Sequence, residues 1–203
     1  MRFVVILAFF SAISFVGLTA SAETKLFDPS FGLSWDTSPA DFASQFTVAE
    51  QEVSGDLIIL RSSAEDESLP SNTDFLTAIF WNDRLVKFYW ASDNFTDDPF
   101  GSEGQAAFST LSANLEKKLG VGEDWTYSGQ ELWKEPDEFY QCIAYEGCGA
   151  WITFWVNPGV ANNIAVLELI GLDRGVGYLK YGMEHPNWYI HNDKQEQVDA
   201  SKF

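Results

Sequence analysis

The sequence predicts an α+β domain, an antiparallel sheet of about six to eight strands with one short and one longer helix packed on one face. Three observations carry that reading. Short runs rich in Val, Ile, Phe, Trp and Tyr recur with turn residues between them, which favours hairpin connections. One long segment places its apolar residues at helical spacing. Hydrophobic residues make up 46% of the chain and aromatic residues 16%, enough to bury a sizeable core and to exclude a disordered chain.

The chain opens on a leader. Residues 1–22, MRFVVILAFFSAISFVGLTASA, read as a cleaved secretory signal peptide. Arg2 supplies the positive start, Phe3 to Leu18 the apolar run, and Ala20-Ser21-Ala22 the small residues of a cut before Glu23. That run is shorter than the ~20 residues a membrane-spanning helix needs, and no positive cluster follows it. The mature chain is therefore expected in the periplasm or outside the cell, with no membrane insertion after cleavage. Residues 23–183 are expected to form a single α+β domain and residues 184–203 a polar, loose tail.

Within the domain, Phe31 to Trp35 reads as a short strand. Ser38-Pro39-Ala40-Asp41 announces a helix, with Ser as cap, Pro in the first turn and an acid two residues on. Phe42 and Phe46 share one face of it. Asp56 to Arg61 is a β-prone run, followed by a solvated loop from Ser62 to Thr73. Phe75–Trp81 and Arg84–Trp90 then flank Asn82-Asp83, two residues tolerant of positive φ, in the clearest hairpin of the chain. Its second strand is expected to bury Val86, Phe88 and Trp90 on one face and to present Leu85, Lys87 and Tyr89 on the other.

After the acidic loop from Ser92 to Gly101, Ser102-Glu103-Gly104-Gln105 matches a capping box and opens the best helix. Ala107, Phe108, Leu111, Leu115 and Leu119 form its stripe, and Gly120 stops it. Phe139–Tyr145, Ala150–Val156, Ile164–Ile170 and Val176–Tyr181 read as further strands. The order of helix, hairpin, helix and hairpin hints at two related α-then-β units.

Gly32-Leu33-Ser34-Trp35, followed by the capped helix start Thr37 to Phe42, resembles the opening of certain small exported bacterial α+β domains. Asp83-Arg84-Leu85-Val86, the helix end from Leu111 to Gly120 and Tyr181-Gly182 are similar in order to the same pattern, whereas Asp36 departs from the Gly expected after the Trp. The resemblance implies an exported module; such domains are mostly of unassigned function, so it transfers no catalytic residue.

Charge narrows the partners. The formal net charge is −18, and the leader takes one of the 12 cations with it. Nucleic acid is excluded as a partner, because binding there depends on Lys and Arg neutralising phosphates. A protein with a basic surface suits this balance, since opposite charge steers encounter. Cys142 and Cys148 form an even pair in an exported chain, with Gly147 and Gly149 to tighten the turn, and are expected to close a local disulfide worth about 2 kcal/mol.

Catalytic and metal signatures are weak. No G-x-S-x-G elbow occurs, and the two histidines, His185 and His191, stand at a spacing that suits neither a triad nor a helix-face metal pair. Asp93 to Asp98 is rich in oxygen ligands, yet Phe95 and Asp98 occupy places where a calcium loop needs a ligand and a Gly. No catalytic residue, cofactor or metal is therefore expected. Of the eight tryptophans, Trp81, Trp90, Trp151 and Trp155 fall in strands and are expected to build the core. Trp35, Trp125, Trp133 and Trp188 fall at element edges or in loops and are the candidate binding surface. The reading is a non-enzymatic module for a protein partner, with a carbohydrate or small-ligand domain built on loop tryptophans as the alternative and an envelope hydrolase using carboxylates behind it.

Overall fold

Ser38 starts the first helix as its sequence directs. Its hydroxyl accepts from the Asp41 amide while the Asp41 carboxylate accepts from the Ser38 amide, so two free donors of the helix start are met reciprocally. The Ser38 hydroxyl also donates to that carboxylate at 2.7 Å, and this bond, followed by the one from the Ser38 amide, holds the Asp41 carboxyl below its ordinary value. A computed structural model describes residues 25–129 and 132–200; the signal peptide expected over residues 1–22 lies outside the described residues.

The helix α1 (Pro39–Gln45) leads into a meander of β1 (Val48–Ser54), β2 (Leu57–Ser62), β3 (Thr73–Trp81) and β4 (Arg84–Ser92). The long helix α2 (Ser102–Leu119) follows, then β5 (Glu123–Tyr127), the helix α3 (Phe139–Ala144), β6 (Ala150–Val156), β7 (Ile164–Asp173), β8 (Val176–Glu184) and α4 (Pro186–Ala200). The described strands form one eight-stranded antiparallel sheet in the order β1-β2-β3-β4-β8-β7-β6-β5. Each half thus opens on a helix and contributes four strands, the second with α3 set between β5 and β6, and the halves meet where their last strands pair. The fold is α+β, as the sequence indicates.

Period-two alternation decides what is buried. Along β7 and β8 buried and half-buried residues alternate, so one face of these two strands is covered and the other is left partly open. The covered face carries Leu60, Phe80, Phe88, Trp90, Trp155, Leu167, Leu169, Leu179 and Tyr181. Phe42 and Phe46 at α1, Phe108 and Leu115 of α2, and Phe139 and Tyr140 of α3 pack onto it. A smaller cluster on the opposite face joins Leu57, Ile79 and Val86 with Trp81, Tyr89 and Trp188 of α4. Helices therefore lie on both faces rather than on one.

Several expectations are corrected. Phe31 to Trp35 is a turn, because Phe31 and Gly32 adopt successive left-handed conformations (φ 61° and 71°) that no strand accommodates. In the hairpin Asn82 and Asp83 do take positive φ, as expected, but a register shift at Ile79/Phe80 makes a bulge. The bulge turns Leu85 to the core and sends Val86 to the opposite cluster. Of the four core tryptophans, Trp90 and Trp155 are buried, Trp151 is half-buried against the same core, and Trp81 belongs to the opposite cluster.

The segment from Phe139 is helical, not a strand. Pro136 and two acids initiate a turn ahead of it, and Phe139 and Tyr140 are buried side by side by that turn. Gly171 and Gly177 admit it: a Cβ at either would collide with Tyr140. The polar tail expected to be loose is helical from Pro186 to Ala200, and His191 within it is buried. The strands β1 and β5, unread in the sequence, are the two edges of the sheet and are exposed along almost their whole lengths, so neither shows an alternating apolar face.

Cys142 and Cys148 are joined in a disulfide that ties the end of α3 to the approach to β6. Gly147 is left-handed (φ 85°), which turns the backbone between them.

Candidate functional site

The half-buried rows of β7 and β8 continue outward onto β6 and β5 as an uncovered face, bounded on the inner side by α4. Register places Glu168 opposite both Ile152 and Lys180, Val166 opposite both Phe154 and Gly182, and Ile170 opposite Tyr178. The next strand outward adds Trp125, whose ring meets Phe154 edge-on at 5.8 Å. On the inner side Tyr89 pairs with Gly182 and Lys87 with Glu184. Gly182 has no side chain to fill the middle of this face. A depression of about 180 Å³ results, lined by Lys87, Tyr89, Val166, Glu168 and Lys180.

The charges on this face are held in place. Lys87 donates to Glu184 at 2.6 Å, and Tyr189 of α4 donates to the other carboxylate oxygen at 2.6 Å. The Lys87 ammonium also lies 4.9 Å from the Trp188 ring, Lys180 lies 5.4 Å from Tyr89, and Arg61 lies 4.1 Å over Phe75. Cations stacked on rings keep their charge at the surface while their stems cover apolar area. Burial pushes the Glu168 carboxyl up, and the Lys180 charge opposes that shift in part. Burial and then the Glu168 charge push the Tyr178 hydroxyl up as well. At least four aromatic rings, the side chains that protein interfaces enrich, thus share one surface with fixed charges of both signs.

The four candidate tryptophans do not converge. Trp35 is half-buried on the core face, donates its indole N–H to the Phe27 carbonyl at 2.8 Å, and meets the His185 ring at 5.2 Å. Trp188 lies on the opposite face against His191. Trp125 belongs to the uncovered face at the far edge strand, and Trp133 is exposed in a left-handed position (φ 53°) ahead of α3. A shared aromatic platform is absent among the described residues. Of the four, Trp125 joins the face described above, and Trp188 borders its inner end beneath Lys87.

His185 and His191 serve α4. The His185 Nδ1 accepts from the Asn187 amide at 3.0 Å, and burial pushes its imidazole below the ordinary value, with Asp36 acting in the opposite sense. The His191 Nε2 lies 2.8 Å from an Asp56 oxygen whose partner oxygen accepts from the Trp81 indole at 2.6 Å. Among the described residues no three His, Cys, Asp or Glu side chains converge to hold a metal ion. The last acid of the candidate calcium loop, Asp98, is buried and points at the start of α2, where its carboxylate accepts from the amides of Ser102, Glu103 and Gly104. That replaces the expected capping box, since Gly101 precedes the helix and has no side chain to cap it.

Lys87, Tyr89, Phe154, Glu168, Tyr178, Lys180 and Glu184 went unread as site residues. Their signal was the alternation of Ile164–Ile170 and Val176–Tyr181, which sets Glu168, Tyr178 and Lys180 on the face opposite the core residues. Comparison with protein-family models, curated proteins and solved structures finds no match to this chain.

Proposed function

We propose that this chain is an exported, non-enzymatic binding module that takes a protein partner on the uncovered face of its sheet. One observation carries the proposal: the row Trp125, Phe154, Val166, Tyr178 and Tyr89 stays half-buried or exposed while Lys87, Lys180 and Glu184 stand fixed among it. Aromatic anchors with immobilised charges bind at low entropic cost. The strong net negative charge supports a partner with a basic surface, because that field attracts it before contact forms. A platform of loop tryptophans for sugars has no such support, since Trp35, Trp133 and Trp188 face different ways.

Affinity capture from native envelope or culture fluid, with mass identification, tests the proposal when run on matched variants. The expected partner is retained by the unaltered chain and by Trp133→Ala, and weakened about tenfold or more by Phe154→Glu or Tyr178→Ala. Its affinity falls as salt rises. A partner held equally by the Phe154→Glu protein would overturn the assigned face, and an affinity indifferent to salt would remove the electrostatic part.

A further inference from the structure

We propose that the groove between α2 and the covered face of the sheet binds the acyl chain of a single-chain carboxylate amphiphile, with Lys118 meeting its head group. The groove encloses about 530 Å³, within the range of small-molecule sites. Phe31, Trp90, Leu111, Leu115 and Leu179 give it apolar walls. Trp90, Leu115 and Leu179 are already nearly buried and Phe31 and Leu111 half-buried, so a hydrocarbon chain laid along them completes the burial of the last two.

The head-group assignment rests on geometry at one end. The wall contributed by α2 runs from Ala106 to Leu115, and Lys118 stands one turn beyond Asn114 on the same side. There the Tyr181 hydroxyl lies 3.3 Å from the Ser30 hydroxyl, and the Lys118 ammonium lies 3.3 Å from that same oxygen and 3.0 Å from the Pro29 carbonyl. Both groups near Lys118 are neutral, so two of its three protons meet oxygens that carry no charge. Among the described residues no carboxylate comes within 4.0 Å of it. Burial pushes its ammonium below the ordinary value, and Asp28 offsets that only from a distance. As a whole residue Lys118 is exposed to the solvent, so an anion delivered at this end would meet an accessible ammonium that no neighbouring carboxylate pairs. A carboxylate on a flexible chain satisfies both ends of the site at once; an uncharged chain satisfies one, and a cationic chain places like charges together.

The test uses protein recovered from cells expressing the full-length chain, a dansyl-labelled undecanoate as reporter, and dodecanoate, dodecanol and dodecyltrimethylammonium as competitors of equal chain length. Dodecanoate is expected to displace the reporter about tenfold more effectively than dodecanol, with the cationic chain weakest. Lys118→Gln is expected to lower dodecanoate to the level of dodecanol and leave dodecanol unchanged. Leu111→Trp fills the groove and is expected to abolish both. Thr110→Trp does the same from an exposed helix position that folding tolerates, and circular dichroism confirms the fold of each variant. Failure of both dodecanoate and dodecanol to displace the reporter would overturn the site. Equal potency of the two, or a carboxylate preference that survives Lys118→Gln, would overturn the head-group assignment. Folded Trp variants that bind normally would place the reporter elsewhere and overturn the groove.

Discussion

The Tyr140 hydroxyl donates to the Asp98 carboxylate at 3.0 Å, linking the short helix α3 to the start of α2 across 42 residues of chain. The same carboxylate already receives three amides at that helix start, so one buried acid organises two helices. Burial and the Asp98 bond together push the Tyr140 hydroxyl well above its ordinary value.

Asp98→Ala is therefore expected to be among the most damaging single substitutions, at about 2–4 kcal/mol, because four buried or half-buried donors lose their acceptor. Tyr140→Phe removes one of those four and is expected to cost about 1 kcal/mol. Urea unfolding of both variants and their combination checks this. The double variant should cost little more than Asp98→Ala alone, since Tyr140 loses the same partner either way.

Close approach of α3 to the sheet predicts a second pair of sensitive sites. Gly171→Ala and Gly177→Ala each press a methyl group into Tyr140, and each is expected to destabilise the fold by about 1–3 kcal/mol. Gly55→Ala, in a turn with open space around the new methyl group, is the comparison: its cost comes from backbone strain alone. Thermal melts that rank Gly55→Ala as worse than both would contradict the packing described.

Reducing the Cys142–Cys148 disulfide is expected to cost about 2 kcal/mol, because it closes a short loop. The effect should be local. Amide exchange should quicken over α3 and the start of β6 and stay slow in β7 and β8.

His185 makes stability depend on pH. Its imidazole titrates below the ordinary value of 6.5 in the folded chain, so the unfolded chain binds the proton first as pH falls. Stability linked to neutral His185 is complete above about pH 6.5 and is lost progressively as pH drops toward the lower folded value. His185→Gln should flatten that part of a stability profile measured between pH 8 and pH 5. An unchanged slope would show that another group carries it.

The central and the edge strands of the fold differ in how plainly the sequence showed them. Strands that bury apolar residues announced themselves: Phe75 to Trp81, Ala150 to Val156 and Ile164 to Ile170 lie where β-prone apolar runs put them. The edge strands β1 and β5 bury almost nothing, so no hydrophobic period marks them. Phe139 to Ala144 reads as a strand from its aromatic residues, and only its contact with two distant glycines shows why a helix wins there. The bulge at Leu85 depends on pairing with Phe80, a relation the local pattern of β4 does not contain. On the uncovered face Glu168 and Lys180 fall in the same alternation that defines the core, but what fixes them, their pairing across strands and stacking on rings, is not local in sequence.

The pairing of β4 with β8 has a consequence for the order of assembly. When the N-terminal half has emerged, β4 is an open edge carrying Phe88 and Trp90, and its partner is about the last strand to arrive. That strand must close a contact spanning roughly half the chain, which is slow to form. Until then the exposed edge could pair with a neighbouring molecule. The finished sheet leaves only β1 and β5 at its margins, where Glu50, Glu52, Glu123 and Asp124 discourage such pairing. Protection against self-association is thus permanent at the outer margins and, at the seam, begins only with the final strand.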